Sequence, residues 1–330
     1  MNQILRCLFT AIFLVATAGV AAAQDKTYTI AYIPKGNTHE FWKTVHAGAV
    51  KAQRELAAKG VKVDILWKGP LREDDRDQQI QVVENFMTRR VNGIVLAPLD
   101  FQALSAPVDN AVRAGIPVVI FDSALKSDKY TSFVATDNHK GGELAAEYLA
   151  KLLGGKGNVI LLRYAVGSAS TEAREAGFLD TITAKYPGIK IVSSDQYAGA
   201  TRETAYQTSQ NLLNRFGRDL DGVFAPNEGS TIGMTKALKD LGKAGGKVKV
   251  IGFDASEQAL LDLKNGDVQG LAVQDPMRMG YLGLLTIIQH LRGETVEKRI
   301  DTGVRMITPE NLGEPAIKDY VHPPIDQYLN

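Results

Sequence analysis

Short apolar, β-branched runs alternate along the chain with longer segments in which apolar residues recur at helical spacing. The runs predicted as strands are residues 28–33, 61–66, 92–96, 117–121, 132–135, 158–162, 189–193, 222–225, 247–252 and 268–273. Helical spacing places Val45, Ala49 and Leu56 near one face of residues 39–58, and residues 78–88 show the same spacing. Because parallel strands need long crossover connections, this alternation indicates mostly parallel sheets covered on both faces.

The number of strands predicts two sheets, since about ten strands with their crossovers exceed one typical domain core. The predicted break lies between the strands at Phe121 and Val134, where the short polar segment 126–129 stands in place of a helix. No Gly/Ser-rich or Pro-rich linker separates the two halves, so we expect short crossings that permit hinge motion. The expected fold class is α/β, with two doubly wound parallel-sheet domains.

The first residues have the pattern of a secretory signal peptide. Arg6 is the only charge before Asp25, an apolar run follows it, and residues 21–23 are alanines that offer a small-residue cleavage site. The alternative is a membrane anchor, but an anchor needs about 20 apolar residues, and the run here is interrupted at Thr17 and Gly19. We therefore expect cleavage after Ala23 and a periplasmic mature protein.

Composition and charge exclude several classes of protein. The 330 residues include 38 Lys and Arg against 37 Asp and Glu, a net charge of +1, which lacks the basic footprint of a nucleic-acid-binding protein. Cys7 is the only cysteine, so a disulfide framework, a Cys-based zinc site and an iron–sulfur cluster are excluded. With five histidines in the chain, a multi-His metal site is not expected either. We expect no metal and no cofactor.

Polar and aromatic side chains follow the predicted strands, and ligands bind at the carboxyl ends of strands in open parallel sheets. The candidates are Lys35, His39, Phe41, Trp42, Trp67, Asp122, Ser170, Glu172, Arg174, Tyr197, Asn227, Asp254 and Gln274. Carboxylates, amides and an Arg can hydrogen-bond vicinal hydroxyls, while flat aromatic faces cover the C–H side of a sugar or polyol. Each residue also has a structural explanation, since Asp122 and Asp254 can cap helices and Phe41 can belong to the core. Their joint placement favours a neutral, hydroxyl-rich ligand.

The usual motifs of enzymes are absent. The chain has no GxGxxG after the first predicted strand, no GxxxxGK[ST], no HExxH and no GxSxG, which removes the signals of nucleotide binding, zinc proteolysis and α/β-hydrolase chemistry. Glu172, Asp122 and Asp254 can in principle supply the acid and base of a glycosidase. Acidic residues after strands are common caps, however, and nothing in the pattern predicts the raised pKa that this chemistry needs. We expect no catalytic residues.

Seven segments match one known family in the same order along the chain. They are AYIPKGNTHEFWKTVHAGA, NGIVLAPLD, GIPVVIFDSA, FVATDNHKGGELAAEYL, DGVFAPNEGSTIGMTKAL, KVIGFDAS and GLAVQDPMRMGYLGL. Together they resemble the periplasmic sugar-binding proteins of bacterial ABC transporters, of the ribose- and galactose-binding type. The resemblance extends from Thr27 to Gly293. The same fold occurs in sugar-responsive repressors of the lactose-repressor family, but those begin with a helix-turn-helix where this chain has its predicted signal peptide.

The resemblance implies roles for particular residues. It places an aromatic pair against the sugar ring at Phe41 and Trp42, with His39 where ribose binders have an Asn. The binding Arg of the galactose type matches Arg174, with Glu172 as the competing alignment. Further family positions, two acidic and two amide, match Asp122, Asn227, Asp254 and Gln274. The aspartates are then expected to accept from ligand hydroxyls, and Arg174 and the amides to donate.

The chain departs from the family pattern at several positions. Relatives carry a second aromatic residue that completes a sandwich around the ring, but the matching position here is Ala200, with Tyr197 nearby. Ribose binders have an Asn where Ala97 stands. Lys35 and Trp67 instead resemble binders of autoinducer-2, which use a Lys after the first strand. We therefore expect a pentose, a linear polyol or another small polyhydroxylated ligand.

These observations lead to one hypothesis about the whole chain. We expect an N-terminal lobe of residues 24–135 plus 275–300 and a C-terminal lobe of residues 136–274 plus 301–330, joined by strands near Thr136, Gln274 and Thr302. The expected protein is a monomeric periplasmic solute-binding protein that closes on a pentose, hexose or sugar alcohol and delivers it to an ABC transporter permease. Two alternatives are a ligand-reporting module for a chemoreceptor or sensor kinase, including one for an autoinducer-2-like ligand, and a secreted carbohydrate-active enzyme.

Overall fold

The computed structural model of the protein describes residues 27–37 and 39–329, so the predicted signal peptide, residues 1–23, lies outside the described part. The strands there are β1 (Tyr28–Ile33), β2 (Val63–Trp67), β3 (Gly93–Leu96), β4 (Val118–Phe121), β5 (Ser132–Ala135), β6 (Lys156–Leu161), β7 (Gly188–Ser193), β8 (Gly222–Phe224), β9 (Lys249–Phe253), β10 (Gly270–Gln274), β11 (Arg299–Asp301) and β12 (Val304–Ile307). The helices there are α1 (Glu40–Ala58), α2 (Arg76–Thr88), α3 (Ser105–Arg113), α4 (Asn138–Leu152), α5 (Ala169–Lys185), α6 (Arg202–Phe216), α7 (Glu228–Asp240), α8 (Glu257–Lys264), α9 (Pro276–Leu291), α10 (Pro315–Val321) and α11 (Asp326–Leu329). Among these helices, none has the length and apolar character needed to cross a membrane.

The strands form two six-stranded sheets with the same winding. The first has the order β11-β5-β4-β3-β1-β2 and the second the order β12-β10-β9-β8-β6-β7. All neighbouring strands are parallel except β12, which is antiparallel to β10. This confirms the predicted fold class. We call the first sheet with α1, α2, α3 and α9 the N-terminal lobe, and the second sheet with α4 to α8 and α10 the C-terminal lobe.

The central strands are apolar runs because each is covered by helices on both faces. All four residues of β3 and all four of β4 are buried, as expected for parallel strands inside a three-layer domain. At the cleft end of the N-terminal core, the ring of Phe121 meets the rings of Tyr32 and Trp42 edge to face. All three residues belong to one hydrophobic cluster. The core of this lobe therefore ends in aromatic side chains.

Two close helix crossings position the residues at the cleft. Where α1 crosses α9, a Cβ on Gly48 would lie 1.9 Å from the carbonyl oxygen of Met277, and a Cβ on Gly280 would lie 1.9 Å from that of Val45. Where α4 crosses α5, a Cβ on Gly142 would lie 2.0 Å from the carbonyl oxygen of Arg174. Only glycine permits such backbone contact. The crossings fix α1 and α5, which carry cleft residues of opposite lobes.

The chain passes between the lobes after β5, after β10 and between β11 and β12. At this hinge the hydroxyls of Thr136 and Thr302 lie 3.3 Å apart, and the Arg299 guanidinium donates to the carbonyl oxygens of Ala135 and Thr136. The lobe boundaries given above stay a prediction.

The C-terminal segment returns to the first lobe, which the sequence does not indicate. Helix α10 packs on β10 in the C-terminal lobe, whereas α11 packs on α1. Arg54 of α1 donates to the carbonyl oxygens of Gln327 at 2.6 Å and Tyr328 at 3.1 Å. These carbonyls belong to the last turn of α11, where helices leave acceptors without intrahelical partners.

Candidate functional site

A cavity of about 30 Å³ lies between the carboxyl ends of the two sheets. Its lining residues are Lys35, His39, Phe41, Trp42, Glu73, Asp122, Tyr164, Ser168, Ser170, Thr171, Arg174, Asn227, Glu228, Asp254 and Gln274. A space of this size holds roughly one or two water molecules. Four of the lining residues, Phe41, Glu228, Asp254 and Gln274, also line an adjoining cavity of about 600 Å³.

The N-terminal lobe contributes an aromatic wall from the first turn of α1. The rings of Phe41 and Trp42 meet edge to face with centroids 4.9 Å apart, and Trp42 is 4% exposed. Trp42 also packs against Phe121 of β4, which anchors the wall in the core. Aromatic faces fixed in this way can cover the apolar side of a sugar or polyol.

A lysine and an aspartate of the N-terminal lobe form a buried ion pair at the cavity. The ammonium of Lys35 lies 2.9 Å from Oδ2 of Asp122 and donates across the cleft to the hydroxyl of Ser170 at 3.1 Å. Asp122 directly follows β4 and has a φ of 60°, in the left-handed region that Asp tolerates better than most residues. The ammonium of Lys35 thus neutralises the carboxylate of Asp122 at the cleft and also links the two lobes through Ser170.

A second ion pair of the N-terminal lobe involves Glu73, from the segment between β2 and α2. Its Oε1 accepts from the indole of Trp42 at 2.6 Å and lies 2.8 Å from Nδ1 of His39. Burial alone would lower the pKa of His39, but the charge and hydrogen bond of Glu73 raise it from 6.5 to about 9. Burial would raise the pKa of Glu73, but His39 lowers it from 4.5 to about 2. Both groups are therefore ionised at neutral pH.

The C-terminal lobe contributes Asn227 and Glu228 at the start of α7. Asn227 is the N-cap, and its side-chain oxygen accepts from the backbone N–H of Ser230 at 3.1 Å in a capping box. Glu228 receives a hydrogen bond from Arg202 at 2.5 Å, although burial raises its pKa. Asn227 thus has the capping role that the sequence allows for such residues, and it also lines the cavity.

Arg174 of α5 is the buried cation of the C-terminal lobe. Its Nε donates to the side-chain oxygen of Asn138 at 2.8 Å, and Nη1 donates to the carbonyl oxygen of Pro226 at 2.8 Å. Its guanidinium lies 3.8 Å from the ring centroid of Phe253, a cation–π contact. Burial lowers the pKa of Arg174, and the charge of Asp254 opposes this. The guanidinium is held rigidly before any ligand binds.

Asp254 and Gln274 complete the cavity next to the hinge. Asp254 follows β9 with a φ of 68° and accepts from Gln274 Nε2 at 2.7 Å. Burial raises the pKa of Asp254, although Arg174 acts against it. Within the described residues, Oε1 of Gln274 and Oγ of Ser168 are buried without a hydrogen-bond partner. Such groups are costly to bury unpaired, so they suit donors supplied by a ligand.

The structure brings most of the candidate residues together. The cavity lining contains Lys35, His39, Phe41, Trp42, Asp122, Ser170, Arg174, Asn227, Asp254 and Gln274. Three other candidates lie outside it. Trp67 is stacked between Tyr32 and His46, with centroids at 5.3 and 4.3 Å, and Glu172 accepts from the backbone N–H of Gly167. Tyr197 is 41% exposed beneath Arg163. That the lining residues bind ligand stays a prediction.

Five lining residues are missing from the sequence-based set: Glu73, Tyr164, Ser168, Thr171 and Glu228. Two of them, Glu73 and Tyr164, join the lobes. Glu73 lies in the charged run 72–77, where nothing distinguishes it from its solvated neighbours. Tyr164 follows the predicted strand 158–162 by two residues, so the rule that selected residues after strands was sufficient to find it. Tyr164 supplies an aromatic ring from the C-terminal lobe, where the sequence pointed to Ala200 and Tyr197.

Three comparisons with known proteins agree with one another. A family model described as the periplasmic binding protein domain matches residues 30–295. A D-ribose/D-allose-binding protein of Pseudomonas aeruginosa is 32% identical over 306 residues, covering 90% of this chain and 93% of that protein.

Two solved structures share the fold along almost their whole length. A carbohydrate transporter solute-binding protein from Agrobacterium radiobacter, in complex with D-arabinose, is 37% identical with a TM-score of 0.83, covering 89% of this chain and 99% of that one. An ABC transporter solute-binding protein from Agrobacterium vitis, with bound D-fucose, is 37% identical with a TM-score of 0.83, covering 89% and 100%. The match therefore includes both lobes.

Proposed function

The chain belongs to the periplasmic binding protein family, and from this membership we propose that it captures a sugar or sugar alcohol between its lobes and delivers it to an ABC transporter permease. One observation carries the proposal. The ends of both sheets converge on one cavity that joins an aromatic wall to buried hydrogen-bonding groups, two of them unpartnered. Hydroxyls and a C–H face are the chemistry that this combination accommodates.

The charges at the cavity favour a neutral ligand. The cavity has equal numbers of cationic and anionic side chains in or next to its lining. The cations are Lys35, His39, Arg174 and Arg202, and the anions are Glu73, Asp122, Glu228 and Asp254. A charged sugar would add a buried charge without a partner, which is strongly unfavourable. We therefore expect pentoses, hexoses or sugar alcohols to bind, and sugar phosphates to be rejected.

Capture proceeds by closure, because groups that touch the ligand lie on both lobes. Phe41 and Trp42 stack against the ligand, and Asp122 and Asp254 accept from its hydroxyls. Arg174 and Asn227 donate to it, and Gln274 accepts through its unpartnered Oε1. A ligand that makes both sets of contacts binds the closed form more tightly and shifts the equilibrium towards it. His39 and Lys35 orient these groups through their ion pairs with Glu73 and Asp122.

Transport without turnover fits the comparisons better than the alternatives do. The two structures with bound sugars are described as transporter solute-binding proteins, which supports a permease as partner rather than a chemoreceptor or sensor kinase. We propose that the chain is exported, cleaved after Ala23, and monomeric. Mass spectrometry of the exported protein tests the cleavage site, and size-exclusion chromatography with light scattering tests the monomer.

A thermal-shift panel tests the proposed function. The panel contains D-arabinose, D-ribose, D-fucose, D-allose and xylitol, with D-ribose 5-phosphate as the charged counterpart. A neutral ligand at a hundredfold excess over Kd stabilises the native state by about 2.7 kcal/mol and raises Tm by about 4 °C. The phosphate should give no shift, and a bound sugar should be recovered unchanged after prolonged incubation.

A pair of matched variants makes the panel specific for the cavity. Asp254→Asn removes a lining carboxylate and should abolish the shift, whereas Asp240→Asn changes an exposed carboxylate of the same lobe and should leave it unchanged. Folded protein that responds to no neutral sugar would contradict the proposed function. A sugar that shifts Asp254→Asn as much as the wild type would contradict the cavity as its site.

A further inference from the structure

Glu73 is built into the N-terminal lobe at a place where the chain makes room for it. A Cβ on Gly36 would lie 2.8 Å from Cγ of Glu73, so a larger residue at position 36 would displace the carboxylate. Oε1 of Glu73 takes the hydrogen bond of Trp42 and the ion pair with His39. The other oxygen, Oε2, takes its hydrogen bond from a residue of the C-terminal lobe.

That oxygen is bound by the opposite lobe. Oε2 of Glu73 accepts from the hydroxyl of Tyr164 at 2.8 Å, and both side chains are buried. Tyr164 is fixed in turn, because its backbone N–H donates to Glu175 at 3.0 Å and Glu175 pairs with Arg163. Burial raises the pKa of the Tyr164 hydroxyl, so that it keeps its proton and remains a donor.

We propose that Glu73 and Tyr164 form a latch that closes the cleft and sets ligand affinity through their hydrogen bond to each other, an inference that rests on the proposed function. The two partners belong to different lobes, so their hydrogen bond exists only in the closed form. An interaction confined to one of two states shifts the equilibrium towards that state. The latch therefore tightens every ligand that closes the cleft, irrespective of which hydroxyls it offers.

Glu73 acts as a positioning residue because its oxygens are already occupied. Three donors, on Trp42, His39 and Tyr164, share the two oxygens. The same carboxylate thus holds the aromatic wall in place on one side and the opposite lobe on the other. Removal of the Tyr164 hydroxyl should loosen the second contact while leaving the first intact.

The experiment compares Tyr164→Phe, Glu73→Gln and the double variant with the wild type by titration with D-arabinose. Hydrogen bonds to charged groups contribute enough that loss of one should weaken Kd about tenfold. If the two residues act as one latch, the double variant should bind no more weakly than Glu73→Gln alone. The lost affinity should be found in a faster dissociation rate, because closure holds the ligand in place.

Tyr281→Phe is the matched control. Its hydroxyl donates to Glu55 at 2.7 Å, a tyrosine–glutamate bond of nearly the same length, but both partners belong to the N-terminal lobe. We expect its Kd to equal that of the wild type. Additive losses in the double variant would overturn the latch, since they would mean that the Tyr164 hydroxyl contacts the ligand independently.

Small-angle scattering of the ligand-free protein gives a readout that needs no sugar. Tyr164→Phe should have a larger radius of gyration than the wild type and than Tyr281→Phe. If D-arabinose fails to bind the wild type, the proposed function fails for this sugar, while a larger radius in Tyr164→Phe still supports the latch. Equal radii together with equal or unmeasurable Kd values would overturn it.

Discussion

The two lobes have the same strand order, but they place different side chains at the cleft. In each, an aspartate directly follows an equivalent strand in a left-handed conformation: Asp122 after β4, with a φ of 60°, and Asp254 after β9, with a φ of 68°. Asp122 is neutralised by a lysine of its own lobe, 2.9 Å away. Asp254 is hydrogen-bonded by Gln274, and burial raises its pKa. The scaffold repeats, but the electrostatic environment does not.

The difference extends to the other groups at the cleft. The N-terminal lobe presents ring faces, at Phe41 and Trp42, whereas the C-terminal lobe presents a buried guanidinium and amide groups, at Arg174 and Asn227. Stacking needs a rigid aromatic surface that the core can support, and directional hydrogen bonds need donors fixed in advance. One repeated topology thus carries an aromatic wall on one lobe and a guanidinium with amide groups on the other, beside charged groups on both.

The aromatic wall should be the most costly feature of the cleft to remove. Trp42→Ala deletes a 4% exposed indole from the N-terminal core and should lower the free energy of unfolding by about 3–5 kcal/mol. It should also abolish binding of D-arabinose. Urea denaturation followed by circular dichroism, together with titration calorimetry, measures both effects. Trp42→Phe keeps one aromatic ring but loses the fused pyrrole ring and its N–H donor to Glu73, so it should retain more of the stability than Trp42→Ala. An unchanged affinity in Trp42→Ala would refute the stacking role.

The two aspartates should respond unequally to the same substitution. Asp122→Asn leaves the buried ammonium of Lys35 without its counterion and should cost about 3 kcal/mol of stability. Asp254→Asn should cost less than Asp122→Asn, because burial disfavours the charge that it removes, although the loss also weakens the electrostatic support of the buried Arg174 guanidinium. Urea midpoints of the two variants check this. If both variants lose the same free energy of unfolding, the different charge environments of the two aspartates do not affect stability.

The His39–Glu73 ion pair should make stability depend on pH in a defined direction. His39 has its pKa raised from 6.5 to about 9, so its contribution to stability is fully present below pH 6.5 and is lost as pH rises through 9. We expect His39→Gln to lower the free energy of unfolding by about 2 kcal/mol at pH 6 and to have little effect at pH 10. Calorimetry at both values measures this, and a cost that stays constant with pH would exclude the ion pair as its origin.

The two parallel sheets could be predicted from the sequence because a buried parallel strand appears there as a continuous apolar run. The strands β3 and β4 are covered on both faces and consist only of glycine and apolar residues, which makes them visible as runs. Strand β11 is short and includes Arg299 and Asp301, and it pairs with β5 alone at the edge of the sheet. Its pattern is that of a polar loop, so it is not among the apolar runs predicted as strands, although a joining strand is expected near Thr302.

The candidate site could be predicted in part, and Glu73 shows why the rest could not. In the same charged run, Asp75 caps α2 and the Asp77 side chain is 84% exposed, yet Glu73 is buried. The difference arises from partners that are distant in sequence, since Trp42 lies 31 positions away and Tyr164 lies 91 positions away. Local patterns indicate which residues are polar, but only the packed lobes decide which polar residue is enclosed.

The return of α11 to α1 has a practical consequence for reporter design. The described chain starts with β1 and finishes with α11, and both lie on the N-terminal lobe. Fluorescent proteins fused to the two ends would therefore move together, and the energy transfer between them would stay nearly constant when the cleft opens. A sensor of closure needs one fluorophore inserted within the C-terminal lobe, for which the exposed turn around Gly245, far along the chain from the hinge crossings, is a suitable position.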